Sequence, residues 1–205
     1  MKFFLKSGLL ATLLAVSSMA NAEWSVNAGF ASEYYYRGIF QASSSASGGI
    51  DFESGGFYAG TWAADVGDGL EVDVYGGYGF DAGAVSLTVG VTGYYYTSDF
   101  DDTYQEINLG AAAGLFSLDI AVGQYDNFDG PTLDYTFYSL MAEKNGFYGK
   151  IGGFAQDFEG EYLEVGYGTT IAEVDVGLNL IFSNSDLVGE SDEAIVFTIG
   201  KSFDL

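Results

Sequence analysis

The sequence predicts an all-β fold, an antiparallel up-and-down transmembrane barrel of about twelve strands, with about 10 or 14 as the alternatives. Three observations predict it. Apolar and polar residues alternate with period two through a series of short segments. Short turns and longer acidic loops take turns in joining those segments. The composition, rich in Gly and Tyr and nearly free of Pro, suits regular strands with small residues in tight places.

Composition also removes several classes of chemistry. The chain has 205 residues, of which 30 are Gly, 1 is Pro, 16 are Tyr and 17 are Phe, and 48% are hydrophobic. No stretch after the amino-terminal segment is long and apolar enough to cross a bilayer as a helix. Cys and His are both absent. That excludes a disulfide framework, thiolate or imidazole metal ligands, a Cys nucleophile and Ser-His-Asp catalysis. Six basic against 29 acidic residues give a net charge of −23, so a nucleic-acid partner is excluded by the sign of the field.

The chain opens MKFFLKSGLLATLLAVSSMANA. Lys2 and Lys6 make a positive start, Leu9 to Val16 an apolar core too short to span a membrane, and Ala20-Asn21-Ala22 a cleavage pattern. Residues 1–22 are therefore expected to be a signal peptide cut after Ala22, and residues 23–205 the barrel. Export without cysteine suits the envelope of a Gram-negative bacterium.

Twelve strands can be placed, centred near Ala28, Ile50, Thr61, Val74, Val89, Leu109, Ile120, Phe137, Ile151, Val165, Val176 and Phe197. The alternation is plainest where Val85, Leu87, Val89 and Val91 interleave with Ser86, Thr88, Gly90 and Thr92. It recurs where Val174, Val176, Leu178 and Leu180 interleave with Asp175, Gly177 and Asn179. In the third and eighth segments either face could be the outer one. Short connections fall at Ser54-Gly55, Asp81-Ala82-Gly83, Gly114-Leu115, Lys144-Asn145-Gly146 and Thr170-Ile171-Ala172; Asn-Gly is a strong hairpin signal. Between them lie DVGDG near Asp65, TSDFDDT near Asp101, DNFDGPTLD near Asp129, QDFEGE near Asp157 and SNSDLVGESDE near Asp186. Bacterial transmembrane barrels show this rhythm, with short turns in the periplasm and long loops outside.

A soluble barrel also alternates, but its outer face carries mixed charges. Here Lys and Arg are nearly missing from the strands, and the polar face holds Glu71, Asp73, Glu106, Asp119, Lys150, Glu164 and Asp175 among Gly and Ser. These are the candidate lumen-facing residues, with Lys150 able to pair with a lumenal carboxylate. Aromatic residues cluster at strand ends, as in Tyr34-Tyr35-Tyr36, Tyr94-Tyr95-Tyr96, Trp24, Phe80, Tyr125, Tyr135, Phe147, Tyr148, Tyr162 and Phe182. They are expected to form interfacial girdles. The final segment puts Ile195, Phe197, Ile199, Phe203 and Leu205 on one face, a strand of the kind read by the barrel-insertion machinery.

Three stretches resemble a known family: Ser32-Glu33-Tyr34-Tyr35-Tyr36-Arg37-Gly38-Ile39-Phe40-Gln41, GGIDFESGGFYAGTWAADV from Gly48 to Val66, and LEVDVYGGYGF from Leu70 to Phe80. They are similar to the TorF-type family, small proteobacterial outer-membrane β-barrel proteins assigned a porin role. The resemblance implies an outer-membrane location and such a role. It implies no catalytic or binding residue.

The expected function is a porin-like barrel for passive diffusion of small solutes, weakly cation-preferring because of its acidic excess. The alternative is a non-conducting structural or surface-binding barrel whose acidic loops carry function. In that reading Asp99, Asp101 and Asp102 are weak candidates for a calcium site, although they fit no calcium-loop motif. No enzyme activity and no cofactor is expected. Paired carboxylates such as Glu71 and Asp73 are what any lumen-facing strand produces. Expected partners are outer-membrane lipid and lipopolysaccharide, the insertion machinery and small solutes. Arg37 is a candidate at the pore mouth, either constricting it or forming a rim salt bridge with a loop acid.

Overall fold

The computed structural model describes residues 22–205, so the expected signal peptide lies outside the described residues but for its last position. Strands follow one another as β1 (Glu23–Ala31), β2 (Tyr34–Tyr36), β3 (Ile39–Ala42), β4 (Ser45–Ser54), β5 (Phe57–Asp65), β6 (Leu70–Ala82) and β7 (Val85–Tyr96). Then come β8 (Tyr104–Ala113), β9 (Phe116–Tyr125), β10 (Leu133–Lys144), β11 (Phe147–Gln156), β12 (Glu161–Ile171) and β13 (Val174–Ser183). A one-turn helix, α1 (Ser185–Val188), precedes β14 (Asp192–Asp204).

Twelve of these strands form one closed antiparallel barrel, in which each pairs with its neighbour in sequence and β1 closes on β14. Gly29 faces Gly200 across that seam, and Ala28 faces Gly48 on the other side of β1. Closure satisfies every ladder hydrogen bond and leaves no edge, the condition for a sheet surrounded by lipid. Each of the twelve expected centres falls inside a barrel strand. β2 and β3 stand apart. They pair only with each other, as a small hairpin inserted between β1 and β4.

The short turns are built on left-handed backbone. Asn145 (φ 55°) and Gly146 (φ 83°) make the two-residue turn between β10 and β11 that Asn-Gly predicts. A Cβ at residue 146 would also run into the backbone carbonyl of Gly168, so glycine is required there twice over.

Alternation sorts the side chains onto two faces. Val89, Val91, Ile107, Leu109, Leu118, Val122, Ile151 and Leu178 are among the large apolar residues exposed on the outer surface. That belt would be a liability in water and is the surface lipid requires. The faces left open in the third and eighth segments are now assigned. Phe57 points out while Trp62 is buried inside, and Phe137 is inside while Tyr138 and Leu140 are outside.

Of the aromatic residues expected in girdles, some face outward and others do not. Trp24, Phe80, Tyr95, Phe147 and Phe182 lie exposed on the outer surface. Tyr34, Tyr94, Tyr125, Tyr135 and Tyr162 are instead buried inside the barrel. Their hydroxyls explain the difference: several of these rings reach lumenal carboxylates, a partner that lipid does not offer.

Candidate functional site: the lumen and its inward hairpin

The β2–β3 hairpin folds into the barrel and spans it with polar contacts. The Tyr34 hydroxyl donates to Glu71 Oε1 on β6 at 2.5 Å, and the Tyr36 hydroxyl to the Tyr94 hydroxyl on β7 at 2.7 Å. Arg37 and Gly38 form its tip, both with positive φ. The Arg37 guanidinium forks onto Glu106 of β8, with Nη1 donating to Oε1 and Nη2 to Oε2, the latter at 2.9 Å. It also lies over the Phe137 ring, with Cζ 4.0 Å from the ring centre. On the far side the Ser183 hydroxyl of β13 donates to the Gly38 carbonyl at 2.5 Å.

Gly38 is where the chain permits this. Its φ is +82°, and a Cβ there would sit 2.6 Å from Tyr162 Cγ. From the other side a Cβ on Gly152 would sit 2.6 Å from Tyr162 Cε1. The Tyr162 ring is thus held between the hairpin tip and strand β11, and neither glycine has room for a side chain.

Glu106 is the polar centre of the assembly. Only 4% exposed, it accepts five hydrogen bonds: two from Arg37, and one each from Tyr94 (3.0 Å), Tyr135 (2.8 Å) and Asn108 (2.9 Å). Burial of the pair is tolerable because both oxygens are fully occupied. Towards the long-loop end the interior is aromatic. Tyr104 stacks on Tyr125 at 4.3 Å, and Tyr135, Phe154 and Phe158 continue the packing.

Below the hairpin, towards the short-turn end, lies a cavity of about 520 Å³. Arg37 and Gly38 roof it, and Ser25, Glu53 and Asp204 lie at its foot. On its wall Lys150 Nζ pairs with Glu164 Oε2 at 2.8 Å, and the Tyr148 hydroxyl donates to Glu164 Oε1 at 2.5 Å. Asp51 accepts from the Tyr75 hydroxyl and, at 3.1 Å, from Asn27 Nδ2.

The residues singled out from sequence therefore separate into groups. Glu71, Asp73 and Glu106 are buried around the hairpin, and Glu71 and Asp73 have no exposed surface. Neither oxygen of Asp73 has a hydrogen-bond partner among the described residues. Asp119, Lys150 and Glu164 line the cavity. Asp175 lies near the short-turn end, where Thr170 donates to it at 2.6 Å. Arg37 is neither on the first barrel strand nor paired with a loop acid; its partner is Glu106 on the wall. Among the loop acids, Asp101 accepts from the hydroxyls of Tyr104 (2.9 Å) and Tyr125 (2.8 Å), and Asp102 from the backbone N–H groups of Thr103 and Phe128. Among the described residues no three acidic side chains converge as metal ligands would.

Sequence reasoning missed the hairpin. Its signal was available, because residues 32–44 form a long connection with one acid, Glu33, where the other long loops carry several. A loop of Tyr, Ile, Phe and Ala that is not solvated must fold against something.

No curated protein is significantly similar to this chain. Among solved structures, one from work on the mechanism of in-meso crystallisation of membrane proteins aligns with a TM-score of 0.61 at 10% identity. The alignment covers 89% of this chain and 84% of that one, and the likeness is one of fold. Pseudomonas aeruginosa OccK1 (OpdK) aligns at TM-score 0.43 and 12% identity over 80% of this chain and 57% of its own. A BenF-like porin from Pseudomonas fluorescens Pf-5 aligns at TM-score 0.43 and 9% identity over 89% and 58%. The chain thus spans less than two thirds of those two barrels. Its sequence matches a family model over residues 15–198, and by that match the chain belongs to the Gcw_chp family of bacterial proteins of unknown function.

Proposed function

We propose that this chain is a porin-like barrel of the bacterial outer membrane that passes small polar solutes, with a weak cation preference, through a lumen whose bore the β2–β3 hairpin sets. The observation that carries this reading is the inward hairpin itself. It crosses the lumen on hydrogen bonds and one ion pair, and polar contacts of that kind can exchange with water. The outer apolar belt supports a lipid environment, and the resemblance of residues 32–41, 48–66 and 70–80 to the TorF-type family points the same way. An excess of lumenal carboxylates over cations supports the cation preference. On this reading the mature chain begins at Glu23, after cleavage of the signal peptide.

Planar-bilayer recording of the refolded barrel tests the proposal. Small, weakly cation-selective steps are expected, and larger ones after Arg37→Ala releases the hairpin tip. Absence of conductance in both proteins, or anion selectivity at moderate salt, overturns it.

One observation favours a second reading, a closed barrel acting through its surface. The aromatic packing of Tyr104, Tyr125, Tyr135, Phe154 and Phe158 occupies the long-loop end. Saturable calcium binding by a non-conducting barrel would favour that reading.

A further inference from the structure

We infer that the cavity beneath the hairpin is a binding site for a linear organic polycation of the polyamine type, with ammonium groups separated by methylene chains. The inference deepens the porin-like reading, on which it rests for solute access to the lumen.

Six carboxylates line the cavity, those of Glu33, Asp51, Glu53, Asp119, Glu164 and Asp204, against two cations. Both cations are already committed: Arg37 forks onto Glu106, which is not part of the lining, and Lys150 pairs with Glu164. The remaining acids face a narrow space walled by low-dielectric strands, which concentrates their field.

Asp119 accepts one long bond, from the Ser139 hydroxyl at 3.4 Å, and takes part in no ion pair among the described residues. Asn179 is 5% exposed, lines the same cavity, and its Oδ1 has no hydrogen-bond partner among the described residues. A buried acceptor without a donor costs about 1–3 kcal/mol. The Tyr148 hydroxyl, whose ring meets Asn179 beside Gly166, is spent on Glu164. Asn179 Oδ1 and the Asp119 carboxylate are therefore open to further donors from a ligand. An ammonium group brings up to three of them together with positive charge.

The acids are spread from the foot of the cavity, at Glu53 and Asp204, through Asp119 to Glu164, which lies nearer the long-loop end. Rings of Tyr58, Tyr75, Phe137 and Tyr162 lie between them. A compact inorganic ion would meet one carboxylate at a time. A chain with charges at intervals meets several, and its methylenes lie against the rings.

Titration calorimetry of the refolded barrel in detergent with spermidine, and separately with magnesium chloride, tests the inference. Saturable one-to-one binding of spermidine is expected, weakened about tenfold by Asp119→Asn, the loss of one charge-assisted contact. Asn179→Leu should weaken it as well, whereas the loop variant Asp129→Asn should not. Retained heat-modifiable migration on gels shows that each variant is folded. Magnesium binding as tight as spermidine, or affinity unchanged in Asp119→Asn and Asn179→Leu, overturns the site. Conductance measured on the same preparation separates the two proposals. Conductance without saturable spermidine binding overturns the site and leaves the pore; binding without conductance upholds the site and overturns the pore.

Discussion

Arg37, at the tip of a hairpin that belongs to no barrel strand, is joined through its two terminal guanidinium nitrogens to both oxygens of Glu106 on the opposite wall. The contact links residues 69 apart in sequence. It anchors a loop whose own strands, of three and four residues, are too short to stand alone. Planarity of the two groups makes the fork possible, and Lys could not reproduce it.

Replacing Arg37 leaves the Glu106 carboxylate buried with three neutral donors and no cation. Arg37→Ala is therefore expected to lower the unfolding free energy by about 3 kcal/mol, the range for breaking a buried pair. Urea unfolding of the refolded barrel, followed by tryptophan fluorescence, measures it. Arg37→Ala with Glu106→Gln should recover part of the loss, giving a positive coupling in the double-mutant cycle. Additive losses would mean that the pair does not act as a unit.

Gly38→Ala should displace the hairpin without removing any of its hydrogen-bonding side chains. The substitution meets both a positive φ and the Tyr162 ring. A rise in trypsin cleavage at Arg37 is the expected readout, because the buried peptide bond becomes accessible. Gly152→Ala presses on Tyr162 from the opposite side and should show the same effect to a smaller degree.

The two tryptophans report on opposite faces of the wall. Trp24 is 49% exposed on the outside, whereas Trp62 is 9% exposed and packs against Tyr34 inside. In vesicles containing brominated lipid, Trp24→Phe should abolish most of the quenching and Trp62→Phe should leave it intact. The reverse pattern would invert the assigned faces of β1 and β5.

Neighbouring positions on β7 should respond differently to the same charge. Val91→Arg places a guanidinium on the lipid-facing belt and is expected to cost about 2–4 kcal/mol in bilayer refolding. Thr88→Arg points into the acidic cavity and should refold at close to the wild-type midpoint. Equal losses would argue against a lipid-facing surface.

Much of the architecture was legible in the chain because a barrel strand is a local object. Alternation at Val85–Thr92 depends only on neighbouring residues meeting lipid and lumen in turn, and Asn145-Gly146 turns by its own backbone preference. All twelve barrel strands could be located for that reason. The ambiguous segments were those in which both faces are bulky, as at Phe57–Trp62, where period two carries no sign.

The scarcity of acids in residues 32–44 set that connection apart, but where its side chains go was not legible, because nothing local distinguishes Tyr34-Tyr35-Tyr36 from a girdle. Tyrosine suits an interface and a lumen equally well, and only the identity of its hydroxyl partner separates them. Those partners, Glu71 for Tyr34 and Tyr94 for Tyr36, lie on other strands and are brought near only when β1 closes on β14. By itself, then, the sequence located the barrel strands and their short turns, and the two faces of the wall outside the third and eighth strands, since each follows from side-chain alternation along a few residues. Closure of the sheet decided the rest: which carboxylates are buried, which cations they hold, and that a loop expected at the rim lies across the lumen instead.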